Sequence, residues 1–348
     1  MFSDPNLISF LDHEISKKGS LSLHDYMALC LQHPQYGYYI RGNPLGHSGD
    51  FITAPEMSQL FGESIAFFLI SHLDTLFPDG YSICELGAGR GTLMADMLRI
   101  LNKKTPPENC YILESNSLLK TQQIKNIPHV KHIDSLDDLP QKPLFFIANE
   151  FFDALPIHAY KLAGSEKFEM RVTGKNGTYE INPTHRSHND ISRQRGIYET
   201  CPDAHDMMEK IADHIKSHKG SGIFCDYGYI KPRDTLSFRG YYKHKVTNGL
   251  AHPFEEDLTA DIDFTALSHT AQNAGAKAYP VVTQEYFLAH MHIELRLHKL
   301  LGQSKDLKQS QIMIEAVRKL TDRSEMGEKF KFLFISHKSD DIYPFGIT

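Results

Sequence analysis

The 348-residue chain carries 37 Lys and Arg against 43 Asp and Glu, a formal net charge of −6, and 41% of its residues are hydrophobic. This is the composition of a globular protein with a real core, and it excludes a strongly basic nucleic-acid surface as the organising feature. No apolar run approaches the ~20 residues that a membrane-spanning helix needs, and residues 1–20 have neither a signal-type apolar region nor an Arg-rich presequence. The five cysteines form no CxxC pair and read as small buried thiols in a reducing compartment.

Residues 5–33 carry two helical patterns. Leu7, Ile8, Phe10, Leu11 and Ile15 share one face before Gly19; Tyr26, Met27, Leu29, Cys30 and Leu31 precede the break at His33-Pro34. An aromatic, glycine-rich segment follows from Tyr36 to Gly49. Pro55 and Glu56 open a helix expected to run to about Leu76.

From Tyr81 the chain alternates strand and helix. Apolar strands are expected at Ser82–Leu86, Cys110–Leu113, Leu144–Ala148 and Ile223–Cys225, with helices at Thr92–Leu101 and Leu118–Ile127. Such alternation predicts an α/β fold with a doubly wound, mostly parallel sheet. The expected division is an N-terminal helical cap and lid over residues 1–76, followed by a main domain over 77–348. That domain carries two additions: a polar β excursion at about 163–198 and a charged helical segment at about 284–329. Lys331–Ile335 reads as a last strand.

The sharpest local signal is Cys84-Glu85-Leu86-Gly87-Ala88-Gly89-Arg90-Gly91-Thr92, at the exit of the first strand. A chain that turns from strand to helix beneath a ligand needs residues without a β-carbon, here Gly87, Gly89 and Gly91. The dinucleotide loop G-x-G-x-x-G would place its third glycine at position 92, which is Thr. An acid two residues before the first glycine, Glu85, suits a nucleoside–methionine ligand, whose ammonium it can anchor, and sits poorly against a pyrophosphate. The plain alternative is a glycine-rich turn with no ligand.

Glu114 ends the second strand, where doubly wound folds hydrogen-bond ribose hydroxyls; a solvated strand-end glutamate is its alternative. Asp134-Ser135-Leu136 follows the presumed third strand and can flank an adenine ring. The fourth strand runs into Asn149-Glu150-Phe151-Phe152-Asp153-Ala154-Leu155-Pro156. Glu150 and Asp153 can hold a planar guanidinium with charge-assisted bonds; alternatively, Asn149 and Asp153 cap a short helix. Gly49 through Gln59 includes Asp50, Thr53 and Glu56, read either as a lid over the cofactor pocket or, for Thr53, Pro55 and Glu56, as a helix start. Asp257 through Phe264 packs three acids ahead of a helix. No histidine pair has a metal-site partner pattern, so no metal is expected.

Together these strings resemble the MidA-like methyltransferases, related to the mitochondrial complex I assembly factor that methylates protein arginine. The resemblance rests on His33-Pro34 with Tyr36-Gly37-Tyr38-Tyr39, Gly49–Gln59, Glu85–Thr92, Asn149–Pro156, Asp226-Tyr227-Gly228 and Asp257–Phe264, in that order. Ala88 and Gln35 stand where the family often has proline and glutamate. What the resemblance implies is a class I methyltransferase fold, S-adenosyl-L-methionine as cofactor, and a protein substrate with arginine as acceptor. Asn149, Glu150 and Asp153 are then the catalytic candidates. Glu85, Gly87, Gly89, Gly91, Glu114, Asp134, Ser135, Leu136, Asp50, Thr53 and Glu56 are the candidates for holding the cofactor. The expected location is the bacterial cytoplasm, with self-association left open. The rival from another class is a cofactor-binding assembly protein without turnover; a nicotinamide dehydrogenase is a more distant third.

Overall fold

The computed structural model describes residues 5–41 and 53–346, and by their contacts these divide into two compact units. Of the described residues, one unit takes 5–41 together with 152–205 and 230–263; the other takes 53–151, 206–229 and 264–346. The expected cap segment 1–76 contributes to both. No described helix is long and apolar enough to cross a membrane.

The second unit is built on one sheet, whose principal strands we label β1 (Ser82–Leu86), β2 (Cys110–Leu113), β3 (Lys131–Ile133), β4 (Leu144–Asn149), β5 (Ser221–Tyr229) and β6 (Phe330–Ser336). Their order is β3-β2-β1-β4-β5-β6. The first five are parallel and β6 runs antiparallel to β5. Short segments at 277–278 and 282–283 also pair with β6. The helices Thr92–Leu101 and Ser117–Asn126 connect β1 to β2 and β2 to β3. This is a doubly wound sheet whose connections diverge between β1 and β4. A ligand is expected there, outside the carboxyl ends of the strands.

Register fixes which loops meet at that edge. Leu86 lies opposite Leu113 on one side and Ala148 on the other, and Asn149 lies opposite Cys225. The residues following β1, β2 and β4 therefore emerge side by side. The central strands are apolar without alternation because both faces are covered: Phe145, Phe146 and Ile147 in β4 and Phe332, Leu333 and Phe334 in β6 are almost inaccessible to solvent. Phe287, from the helix Gln284–His290, stacks on Phe332 with ring centroids 4.3 Å apart. Each such ring contributes on the order of 2 kcal/mol by leaving water.

The strands expected at 82–86 and 110–113 and the helix at 92–101 have the bounds read from the sequence. The helix expected from Pro55 to Leu76 is instead two, Ala54–Met57 and Gln59–Leu76. Ser58 between them is extended (φ −156°, ψ 129°), and its side chain accepts from the Leu60 N–H, capping the second helix. The helical addition consists of helices Gln284–His290, Ile293–Leu301 and Leu307–Thr321.

The first unit contains the helices Pro5–Lys18 and Leu23–Gln32, and a sheet in the order 21–22, 166–175, 158–163, 195–200, with 178–188 paired to 166–175. The polar β excursion thus starts at His158. A three-stranded sheet holds 239–242 between 245–247 and 257–259. Arg171 ties the N-terminal segment to the larger sheet through the Ser20 hydroxyl and carbonyl, both at 2.9 Å.

Candidate functional site

The glycine loop needs its glycines for backbone reasons before any ligand is considered. Gly87, Gly89 and Gly91 have φ of 60°, 54° and 80°, the left-handed region that costs other residues about 1–2 kcal/mol. A β-carbon on Gly87 would also lie 2.5 Å from Cδ2 of Phe151. Gly91 is the N-cap of the helix Thr92–Leu101, so the loop delivers that helix's open N–H groups to the end of β1.

Glu85 is 3% exposed in β1. Its carboxylate accepts the Met94 N–H of that helix, while Oε2 is buried without a hydrogen-bond partner among the described residues. Burial pushes its carboxyl up to about 8, against the Met94 bond, and the nearby Glu114 charge pushes the same way. A buried, half-satisfied carboxylate beside a second one is costly unless a cation pairs with it. This fits the ammonium and sulfonium of S-adenosyl-L-methionine.

Glu114 is buried at the end of β2. Its Oε1 accepts from the Asn116 N–H at 2.9 Å and its Oε2 from Gln123 Nε2 at 3.1 Å. Burial raises its pKa; bonds from Asn116, Gln123 and the Ser115 N–H, with Lys120 nearby, oppose the rise. Gln123 went unnoticed in the sequence, where it resembles any polar residue on a helix. It is fully buried, and its Nε2 also donates to the Gly89 carbonyl at 2.8 Å.

The remaining adenine-side candidates have local partners. Asp134 is exposed and pairs with Lys120 at 2.7 Å. The Ser135 hydroxyl caps the short turn Leu136–Asp138, and Leu136 is half-buried there.

On the other side of β1, Asn149 ends β4 and Glu150 turns the chain. Glu150 has φ 51°, a left-handed conformation held by its N–H donating to the Cys225 carbonyl. Its Oε1 accepts from the Ala54 N–H at 3.2 Å and from Asn149 Nδ2 at 3.1 Å. Asn149 Oδ1 is buried with no partner among the described residues. Asp226, within β5, fixes the next residue by accepting the Phe151 N–H at 3.1 Å.

The helix Ala54–Met57 therefore starts against Glu150. Its Glu56 accepts from the Thr92 hydroxyl at 2.6 Å and lies 3.8 Å from Arg90, both in the glycine-loop segment. Thr53 occupies the N-cap position through its backbone, but its side chain makes no capping bond. Asp50 lies outside the described residues.

Asp153 belongs to the first unit. Burial pushes its carboxyl up to about 6, against a 2.8 Å bond from the Thr259 hydroxyl and the pull of Arg239. The acids of the string 257–264 are half-buried, and two of them have named partners. Asp257 accepts from the Tyr39 hydroxyl at 2.6 Å, and Asp261 pairs with Arg239 at 2.6 Å and with Arg233. Among the described residues no His, Cys, Asp and Glu group is arranged to hold a metal ion.

Comparison with known proteins gives the same direction. Residues 64–282 match the S-adenosyl-L-methionine-dependent methyltransferase family Methyltransf_28. The chain is 30% identical over 372 residues to the mitochondrial protein arginine methyltransferase NDUFAF7 of Xenopus tropicalis, covering 96% of this chain and 86% of that one. It is 33% identical over 368 residues to the Caenorhabditis elegans homologue, covering 94% and 85%. A Burkholderia thailandensis protein crystallised with S-adenosyl-homocysteine superposes with a TM-score of 0.79 at 25% identity, covering 95% of this chain and 92% of that one.

Proposed function

We propose that this chain, which belongs to the S-adenosyl-L-methionine-dependent methyltransferase family, transfers the methyl group to a guanidinium nitrogen of a protein arginine. The observation that carries the cofactor part is the pair of interacting buried carboxylates, Glu85 near the carboxyl end of β1 and Glu114 just past β2. The arginine part is supported by the names of the curated relatives.

In this reading Glu85 pairs with the methionine ammonium and Glu114 accepts from a ribose hydroxyl. Gly87, Gly89 and Gly91 let the backbone approach, and Asp134, Ser135 and Leu136 border the adenine. Thr53 and Glu56 border the loop, Glu56 through the Thr92 hydroxyl. The cofactor supplies an electrophilic methyl on a good leaving group, so the protein's task is alignment and removal of a proton. A protonated guanidinium is a poor nucleophile. Glu150, fixed in a strained turn by Ala54 and Asn149, polarises it and receives the proton as the new bond forms. Asp153, three residues on, is assigned as the second guanidinium-recognising carboxylate.

Glu150→Gln retains the acceptor atom used by Ala54 and Asn149 while removing the base. Turnover is expected to fall by roughly 100-fold or more with S-adenosyl-L-methionine affinity within about threefold. Equal loss of both removes Glu150 from the acceptor role. Transfer of labelled methyl into the lysate of a deletion strain, followed by hydrolysis to amino acids, identifies the acceptor. Cofactor binding with no methylarginine formed would return the protein to the assembly-factor reading. The curated relatives are mitochondrial by name, and fractionation decides the compartment of this chain.

A further inference from the structure

We propose that Gln123, locked by His132, is the positioning residue that aims Glu114 at the cofactor's ribose and pins the glycine loop at Gly89; this rests on the ribose reading of Glu114. The geometry leaves the carboxamide a single orientation. Gln123 Nε2 faces two oxygens that can only accept, the Gly89 carbonyl at 2.8 Å and Glu114 Oε2 at 3.1 Å. The opposite atom, Oε1, lies 2.8 Å from His132 Nε2. Both N–H groups of the amide are therefore spent on the first two contacts, and His132 must carry its proton on Nε2 to complete the third.

The arrangement joins two strand exits that the cofactor reading places against the ligand to the neighbouring strand β3. Gly89 follows β1, Glu114 follows β2 and His132 lies in β3. Gln123 reaches all three from the helix between β2 and β3. A helix residue with no solvent access whose two amide N–H groups and carbonyl oxygen all meet polar partners outside its helix is not filling space. An apolar side chain would fill the volume equally well and avoid burying an amide.

The carboxylate itself has about four acceptor positions. The Asn116 N–H and Gln123 each take one, and the rest can receive a hydroxyl donor. Removing the Gln123 contact frees the group to rotate about its Asn116 bond and turns Oε2 away from the ribose.

The test separates aiming from mere packing by using two ligands, S-adenosyl-homocysteine and its analogue lacking both ribose hydroxyls. The wild-type protein is expected to prefer the former by roughly tenfold or more, the value of a hydrogen bond to a charged group. Gln123→Met, which conserves volume, is expected to reduce that preference to threefold or less in calorimetric titration. Where Gln123→Met does not fold, His132→Leu gives the same readout, since it releases the carboxamide oxygen; His132→Gln, which keeps a donor, should restore the preference.

Equal weakening of both ligands overturns the proposal, because packing alone then explains Gln123. A preference intact in the Gln123 and His132 variants but lost in Glu114→Ala overturns it too, leaving the ribose reading standing. A preference intact in Glu114→Ala refutes the ribose reading and this inference with it.

Discussion

Glu85→Gln should make the ligand-free protein more stable and the cofactor bind worse. The carboxyl's pKa is raised from its ordinary 4.5 to about 8, chiefly by burial. Between those two values the folded state keeps a proton that the unfolded chain releases. Stability is thus fully present below pH 4.5, falls as pH rises, and levels off above pH 8. At about 1.4 kcal/mol per pKa unit the whole window corresponds to roughly 5 kcal/mol.

A glutamine at this position keeps an acceptor for the Met94 N–H and does not titrate. The difference in stability between variant and wild type should therefore grow by several kcal/mol from pH 5.5 to 8.5, measured by urea unfolding at each pH. Binding runs the opposite way. Pairing with an ammonium requires the ionised form, so at pH 7 most wild-type molecules must release a proton on binding. Affinity should rise nearly tenfold per pH unit up to about 8. Calorimetry in two buffers of different ionisation enthalpy reads that proton directly. Parallel stability profiles for the two proteins, together with no proton release, would reduce Glu85 to a helix cap and refute the ammonium assignment.

Gly87→Ala combines a left-handed φ with a contact of 2.5 Å to the Phe151 ring, and should cost about 2–4 kcal/mol by thermal unfolding. Adding Phe151→Ala should remove the clash component alone; an unchanged melting temperature in the single variant would show that the loop does not hold this conformation. Thr92→Val deletes the 2.6 Å bond to Glu56 and should destabilise by about 1–2 kcal/mol in urea, with no effect if that glutamate prefers Arg90 or solvent.

What the sequence made legible was whatever is written locally. β1 and β2 were readable because strands buried on both faces are continuous short apolar runs, and Gly87, Gly89 and Gly91 because a left-handed backbone demands glycine. The break at Ser58 was not readable. Ala54 through Gln59 contains no glycine there, and a serine cap inside a helical pattern looks like a surface residue. Nor was the role of Gln123: in its helix it has the same polarity as the half-buried Gln122, and only its contacts with Gly89, Glu114 and His132 distinguish them.

The pairing of Glu85 with Glu114 shows why the divide falls there. Each acid was visible by its place near a strand's end, but the repulsion between them exists only because β1 and β2 pair in parallel with Glu85 opposite Ile112. That brings Glu114, two residues further on, to the same edge. A shift of two residues in that register would keep every local signal and separate the charges. The electrostatic demand for a cation is therefore a property of the register, and the raised pKa of Glu85 is where it can be measured.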